Sequence, residues 1–592
     1  MHCPFSGPQL TEPKARAQDR GDALAHRLGH HLGRSNAFGP AADDELFDGY
    51  PTDRKVVRLG EEPDTADEAP EAAAPDESVG TLDRLFRRMT LGSRQDYEDQ
   101  HCGYKAEDNP NLPAGYTYFA QLVAHDLVAH VAPIAHSDQQ EVRAARNFRT
   151  QRLFLETIYG AGPLVTPAPF AAPPDSWSYV RKRLRLGRVG KAETGPDKAK
   201  WGERPLEPGF PARDIPRASC PFVEEVARPG LTDTLLADSR NDDSLILSQM
   251  TALFHEFHNI VLDATAGPLT TRSSNLEHYE HFIRTRKIVA YVFRRIVVQD
   301  LLKRLLDTGV YSGLETALSD LSRGRHHHPL FSVSPDEQRI PVEFSHAVYR
   351  FAHRLVRPNY VVNGIQRRPG TIYQLLERSS ARSPSLLPLG TDWLVDWKHF
   401  FEIDPAVKPN LGRRINPQFG GGAMAGDTTL VVGDTRTGHG VMHRDLMRSV
   451  GCGMRTVDSL IARLPPSDKA RSDLLGFPKI RKRAIKEWLL ATPFHGFERG
   501  EAEAIAENPP LYFFTLFEAA MDKCGERLGI LGSTIVAGVM LSALRVMQPV
   551  VEGDPEVAAA ADSVFAGAVP GTLPELIAFI AGDRARRGEP PF

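Results

Sequence analysis

Cysteine is scarce in this chain. Five occur in 592 residues (Cys3, Cys102, Cys220, Cys452 and Cys524), odd in number, far apart and never as CxxC. That excludes a disulfide-built scaffold and a Cys-rich zinc module, and it fits a reducing compartment. Long apolar runs are lacking too. The most apolar stretch, ILGSTIVAGVMLSAL (Ile530 to Leu544), is short and rich in Gly and Ser, so it reads as a buried helix and no transmembrane segment is expected. The first residues, MHCPFSGPQL, hold no basic segment followed by an apolar core, so no secretory signal is visible. Neither charge is in large surplus: the formal net charge is −4, which gives no overall basic field for nucleic acid or an anionic membrane. No internal repeat is found. The default compartment on these grounds is the cytoplasm, with export lacking a recognisable signal left open.

What is present is an ordinary globular balance, 41% hydrophobic and 25% charged, in a chain too long for one small core. Residues 1–80 are polar and rich in Ala, Pro, Asp and Glu; EEPDTADEAPEAAAPDESVG is the clearest part. Such a segment cannot bury enough apolar surface to order itself, so a disordered or loosely packed tail is expected, followed by one domain over 81–592. Apolar residues at helical spacing predict helices over 114–130, 244–265, 276–308, 341–356, 440–463, 477–491, 511–523 and 530–547. Pro-, Gly- and Arg-rich connections over 162–220 and 357–440 separate them, and strand-like runs such as TTLVVGDT are few. The expected fold is mainly α: a single large helical domain with long loops and few short strands. Loops of that length on a rigid helical core often carry function.

Four segments hold residue types that do chemistry. YFAQLVAHDLVAH (Tyr118 to His130) puts Gln121 and His125 on one helical face, with Asp126 turned about 100° away. LADSRNDDSLILSQMTALFHEFHNIV (Leu236 to Val261) gathers Asp238, Arg240 and Asp243 at a helix entrance, where carboxylates are favoured, and adds His255 and His258. IPVEFSHAVYRFAHRLVRPNY (Ile340 to Tyr360) sets Arg350 and His353 three apart, with small Ala352 beside them. HRDLMRSVGCGM (His443 to Met454) sets Asp445 three before Arg448. Each alone has a plainer reading: a buried His bonded to a carbonyl, a well-capped helix, a surface ion pair. HHHP (His326 to Pro329) reads as an exposed loop.

Together and in order, the segments resemble the heme peroxidases of the animal peroxidase–cyclooxygenase superfamily, in particular its bacterial members. The family's distal Gln-x-x-Asp-His-Asp, catalytic Arg, proximal His and following Asn-x-x-Arg are matched here by QLVAHD, DSRNDD, YRFAHRLVRP and DLMR. RTQRLFLETIYGAGP (Arg149 to Pro163) and GERLGILGSTIVAGVML (Gly525 to Leu541) are similar as well, so the resemblance runs from about 83 to 550. It implies His125 as distal acid–base group, Arg240 as stabiliser of developing negative charge, and Gln121 as the residue that orients distal water or peroxide. It implies His353 as axial iron ligand, with Arg350 and Arg448 on the cofactor side and Asp445 bonded to the proximal imidazole. The implied activity is reduction of hydrogen peroxide and oxidation of a small organic or halide-type donor through an oxoferryl intermediate.

Departures from the family's pattern qualify these expectations. Ala124 replaces the Asp that esterifies a heme methyl, and Asp243 replaces the Glu at the other ester position, so non-covalent heme b is expected. Asp445 stands for Asn, which gives the imidazole more anionic character. The family's calcium site maps onto Asp126, Thr150 and Glu156, but Phe154 stands where a carboxylate is expected, and calcium needs six to eight oxygens. Dioxygenase relatives, including fatty-acid dioxygenases, carry a radical-forming Tyr three residues before the proximal His. Here that residue is Arg350, and Tyr349 is expected to point elsewhere. Two other readings are a heme-binding relative without activity, and a divalent-metal hydrolase built on His125, Asp126 and HEFH.

Overall fold

Periodic apolar spacing becomes helix almost wherever it occurs. In the computed structural model the described residues are 32–33, 80–91, 107–129, 147, 149, 153–173, 180–193, 205–219, 230–267, 273–322, 340–366, 368–418, 441–463, 478–491, 497–546 and 554–590. Most of the tail, TTLVVGDT and HHHP lie outside them; Leu32–Gly33 pair in parallel with Ile340–Pro341. The helices used below are α1 (Thr81–Leu91), α2 (Gly115–Leu127), α3 (Leu245–Ala264), α4 (Asn275–Ile296), α5 (Thr308–Ser322), α6 (Val441–Gly451), α7 (Leu511–Lys523), α8 (Ile530–Val546) and α9 (Leu573–Arg586). Strands among the described residues are short and form two-stranded pairs only. The fold is mainly α, as expected, and none of its described helices is long and apolar enough to cross a membrane.

The helix α2 lies at the centre, against α3, the 239–242 turn and the segments 297–302 and 348–355. Eleven of its thirteen residues are buried; only Gln121 and Ala124 are less so. Its start is fixed by Gly115. The amide of Gly115 donates to the Phe400 carbonyl at 3.0 Å, and a Cβ there would meet the Phe401 ring at 2.2 Å. On the far side α7 packs on 348–355 and on α6, and α8 packs on α5. Glu518 of α7 accepts from the amides of Leu531 and Gly532 at 2.9 and 3.1 Å, which caps the apolar helix α8 with a carboxylate.

Two expectations need correction. The helix expected over 341–356 is wound unevenly: wide turns over Glu343–Ala347, then tight three-residue turns over Val348–Leu355, jointed at Ala347 (φ −129°, ψ −76°). A fully buried ion pair anchors its start, with Arg455 donating from its amide (3.2 Å) and its guanidinium (3.3 Å) to Glu343. The helix expected over 440–463 is broken by Gly453 at φ +58°, a left-handed turn that separates α6 from Val457–Ala462. Cys452 is a buried free thiol, while Cys524 is disulfide-bonded, which removes the support that sparse cysteine lent to a reducing compartment.

Gly115→Ala should lower stability by about 1–3 kcal/mol, because the added methyl group has no room against a ring that cannot retreat. Urea unfolding of the two proteins measures this. Equal midpoints would mean that α2 is not seated on Phe401.

Candidate active site

A cleft of about 430 Å³ opens between α2 and the 343–356 segment. That volume lies within the usual range for a small-molecule or cofactor site. Gln121, Ala124 and His125 line it from α2, Arg240 and Asp243 from the turn before α3, Arg350, Ala352 and His353 from the opposite wall, and Arg448 from α6. Seven residues singled out in sequence (Gln121, His125, Arg240, Asp243, Arg350, His353 and Arg448) thus face one cleft, and an eighth, Asp445, sits directly behind it. Ala120, Ala124 and Ala352 contribute only small side chains to its lining.

On the α2 wall, His125 is buried and its Nδ1 lies 2.9 Å from the Asn241 side-chain oxygen. The Asn241 amide nitrogen donates to the Thr157 carbonyl at 3.2 Å, which fixes the oxygen toward the imidazole. Nδ1 therefore carries the proton, and Nε2 keeps its lone pair toward the cleft. Burial pushes the His125 pKa down to about 4, and the Arg240 charge adds to this. At neutral pH it is a poised, uncharged base.

Arg240 is held as a fork. Its Nε and Nη2 donate to the two oxygens of Asp238 at 3.0 and 2.7 Å, and Nη2 also donates to the Val128 carbonyl at 2.8 Å. Its Nη1 has no partner among the described residues. Asp238 is in turn paired with Arg149, whose Nε donates to the His125 carbonyl at 2.7 Å. Burial alone would raise the Asp238 pKa; Arg240, His125 and Arg149 outweigh it and hold the carboxyl well below its usual range. The side chain of Gln121, one helical turn before His125, has no hydrogen-bond partner among the described residues.

On the opposite wall, His353 Nδ1 and Asp445 Oδ2 are 2.5 Å apart, with Asp445 fully buried. Burial would raise the Asp445 pKa, but His353, Arg350 and Arg448 hold it below the usual value. With Nδ1 engaged, His353 offers Nε2 to a ligand, and its side chain remains about 32% exposed. Arg350 Nε donates to the Ser345 carbonyl at 2.9 Å; burial and the nearby Arg448 push its pKa down to about 10. Tight winding places Arg350 and His353 in one file along the cleft. Asp243 also lines the cleft; its amide donates to the Arg240 carbonyl at 3.1 Å, while its carboxylate has no hydrogen-bond partner among the described residues. Burial of the carboxyl pushes its pKa up to about 7, with Asp238 and Asp242 adding to this against the Arg240 charge.

Three expectations fare differently. Tyr349 does not point elsewhere: it lines the same cleft, buried, and donates to the Ala120 carbonyl at 3.4 Å while its ring packs on Phe344. Tyr349 and Ala352, three apart in the tightly wound segment, both line the cleft. His255 and His258 are not metal ligands; they lie 2.8 Å from the carbonyls of Arg185 and Lys182, which removes the hydrolase reading. Among the described residues no group of three or more His, Cys, Asp or Glu is arranged for a metal ion. Of the calcium candidates, Asp126 is occupied by backbone amides, Glu156 lies 3.9 Å from Arg149, and Thr150 lies outside the described residues. Sequence reasoning missed Asn241 and Arg149. A fully buried Asn inside a capping turn was the available hint for the first.

Residues 211–386 match the family model "Animal haem peroxidase". The matched stretch includes Arg240, Asp243, Arg350 and His353, but neither the α2 residues nor Asp445 and Arg448. No curated protein sequence matches the chain. Among solved structures, fatty acid alpha-dioxygenase from Oryza sativa is similar with TM-score 0.50 and 13% identity, covering 84% of this chain and 79% of that one. Peroxidase A from Dictyostelium discoideum follows with TM-score 0.47 and 12% identity, covering 83% and 90%. The dioxygenase from Arabidopsis thaliana has TM-score 0.48 and 10% identity, covering 85% and 76%. At such identities the likeness to the rice enzyme is one of fold alone.

The His125 imidazole should titrate near pH 4, well below the ordinary value of about 6.5. Asn241→Asp places a carboxylate against Nδ1, favours the imidazolium and should move the midpoint upward. Nitrogen-15 NMR of histidine-labelled protein, assigned through His125→Gln, reads both. A midpoint near 6.5 in the unaltered protein would contradict the burial described for this ring.

Proposed function

From a chain whose residues 211–386 carry the animal haem peroxidase signature, we propose a heme peroxidase that reduces hydrogen peroxide and oxidises small organic or halide-type donors. One observation carries the reading. His353, oriented by Asp445, and His125, with a free Nε2 beside Arg240, line one cleft from two separate segments of the chain. The donor set fits heme b. His353 Nε2 would hold the heme iron, the guanidiniums of Arg350 and Arg448 would offer donors to its carboxylates, and Ala120, Ala124 and Ala352 take up little of the cleft. Ala124 cannot form an ester and Asp243 is short for one, which supports non-covalent binding.

Bound there, heme would supply the redox chemistry between peroxide and donor. The chain supplies protons and charge. His125 Nε2 takes the proton from the near oxygen of peroxide and returns it to the departing oxygen, leaving as water. Arg240 Nη1, aimed by Asp238, stabilises the negative charge that grows on that departing oxygen. Gln121 orients water or peroxide beside them. Asp445 accepts from His353 Nδ1 and lends the imidazole anionic character, which favours a more oxidised metal.

A second reading rests on the tyrosines. Tyr349 and Tyr118 both line the cleft, which suits oxygenation of an apolar substrate, the activity named for the rice protein of similar fold. Oxygen uptake with a fatty acid and no peroxide would favour it; peroxide-dependent oxidation of a phenol without oxygen uptake favours the first.

The purified full chain, supplemented with heme, should develop a ferric Soret band and oxidise phenols with peroxide. No band after supplementation would sink the proposal. Arg240→Ala should slow the reaction with peroxide by about 10²–10³-fold, the usual cost of losing one charge-stabilising donor, with the band retained. Unchanged turnover would remove Arg240 from its role.

Asp445→Asn should raise the ferric/ferrous midpoint potential, because a neutral acceptor leaves the imidazole less electron-rich. Spectroelectrochemistry of the two proteins measures the direction; a lower value in the variant would contradict the stated effect of the carboxylate.

A further inference from the structure

On the side of α2 turned from the cleft, Asp126 is fully buried. Its two oxygens accept the amides of Leu155 and Thr157, both at 2.9 Å. The backbone presents two donors to one carboxylate because Leu153 and Leu155 take left-handed conformations, φ 54° and 57°. A leucine is strained in that region, so something else must hold the turn.

Arginines hold it. Arg294, from α4, donates Nε to the Leu153 carbonyl at 2.7 Å. The guanidiniums of Arg286 and Arg294 cover the ring of Phe154 at 4.7 and 5.1 Å from its centroid. Arg149 joins Asp238 and the His125 carbonyl and stands 3.9 Å from Glu156. Arg149, Arg286 and Arg294 all sit within electrostatic reach of the Asp126 charge. Three carboxylates (Asp126, Glu156 and Asp238) therefore already face four guanidiniums, counting Arg240.

The surroundings of Asp126 have the wrong polarity for a hard cation. Calcium binds six to eight oxygens, whereas this turn offers Asp126 amide protons and spends its Leu153 carbonyl on a guanidinium. A divalent ion would have to displace donors that cannot coordinate it and add charge to a cluster that is compensated already. We propose that arginine guanidiniums take the place of a structural divalent cation here: Arg286 and Arg294 pin the 153–157 turn to α4 beside Asp126, and Arg149, through Asp238, aims Arg240. This does not depend on what the cleft binds.

The test uses the full chain as purified. Elemental analysis should find calcium far below one equivalent, and the melting temperature should be the same in EGTA as in excess calcium. Arg294→Met, similar in bulk but uncharged, should melt about 2–4 °C lower in both buffers. Stoichiometric calcium, or a melting temperature that falls in EGTA and recovers on adding calcium, overturns the proposal. So does an Arg294→Met protein that melts like the unaltered one.

Discussion

The hydrogen bond between His353 and Asp445 is the constraint on which the rest of the site depends. A carboxylate with no solvent exposure is costly, and only close cations and donors make it tolerable. Here the imidazole, Arg350 and Arg448 supply them. The same contact that satisfies the carboxylate also sets the plane and tautomer of the ring. It links α6 to the 348–355 segment, which α7 supports from behind. Removing any of these supports would leave a buried charge unpaired before it altered the cleft, so stability and ring orientation are coupled.

The facing wall follows a different logic. His125 is kept neutral by burial, while the charge beside it is confined to a chain of guanidiniums and carboxylates. Asp238 is shared by Arg149 and Arg240, and both arginines also reach the His125 carbonyl. The base and the charge stabiliser are therefore positioned through one carboxylate and one backbone atom. Two walls, one ruled by a neutral ring and one by an imidazole bound to an anion, suit chemistry in which a proton and a negative charge move together.

Much of this was legible in the residues. Apolar spacing located the helices to within a few residues, because packing of one face decides their extent. The four polar insertions into apolar segments marked the cleft, since polar groups are costly there unless used. What was not legible depended on partners far away in the chain. Phe154 looked like a lost ligand, but its cover by Arg286 and Arg294 comes from a helix some 130 residues on. Asn241 passed as one more polar residue in a capping turn until its oxygen was seen against His125. Tyr349 was misplaced because only the position three before His353 was weighed, although a residue four before it shares its helical face.

That uneven winding has a wider consequence. At three residues per turn, positions 350 and 353 are eclipsed; in an ordinary helix neighbours three apart would be offset by about 60°. The guanidinium and the imidazole share an azimuth only while the segment stays overwound. Evolutionary drift in this strip is thus limited by phase as much as by chemistry. A residue gained or lost in the loose turns at 343–347, although none of it ligates anything, would swing the whole file and aim Arg350 and His353 away from the opening.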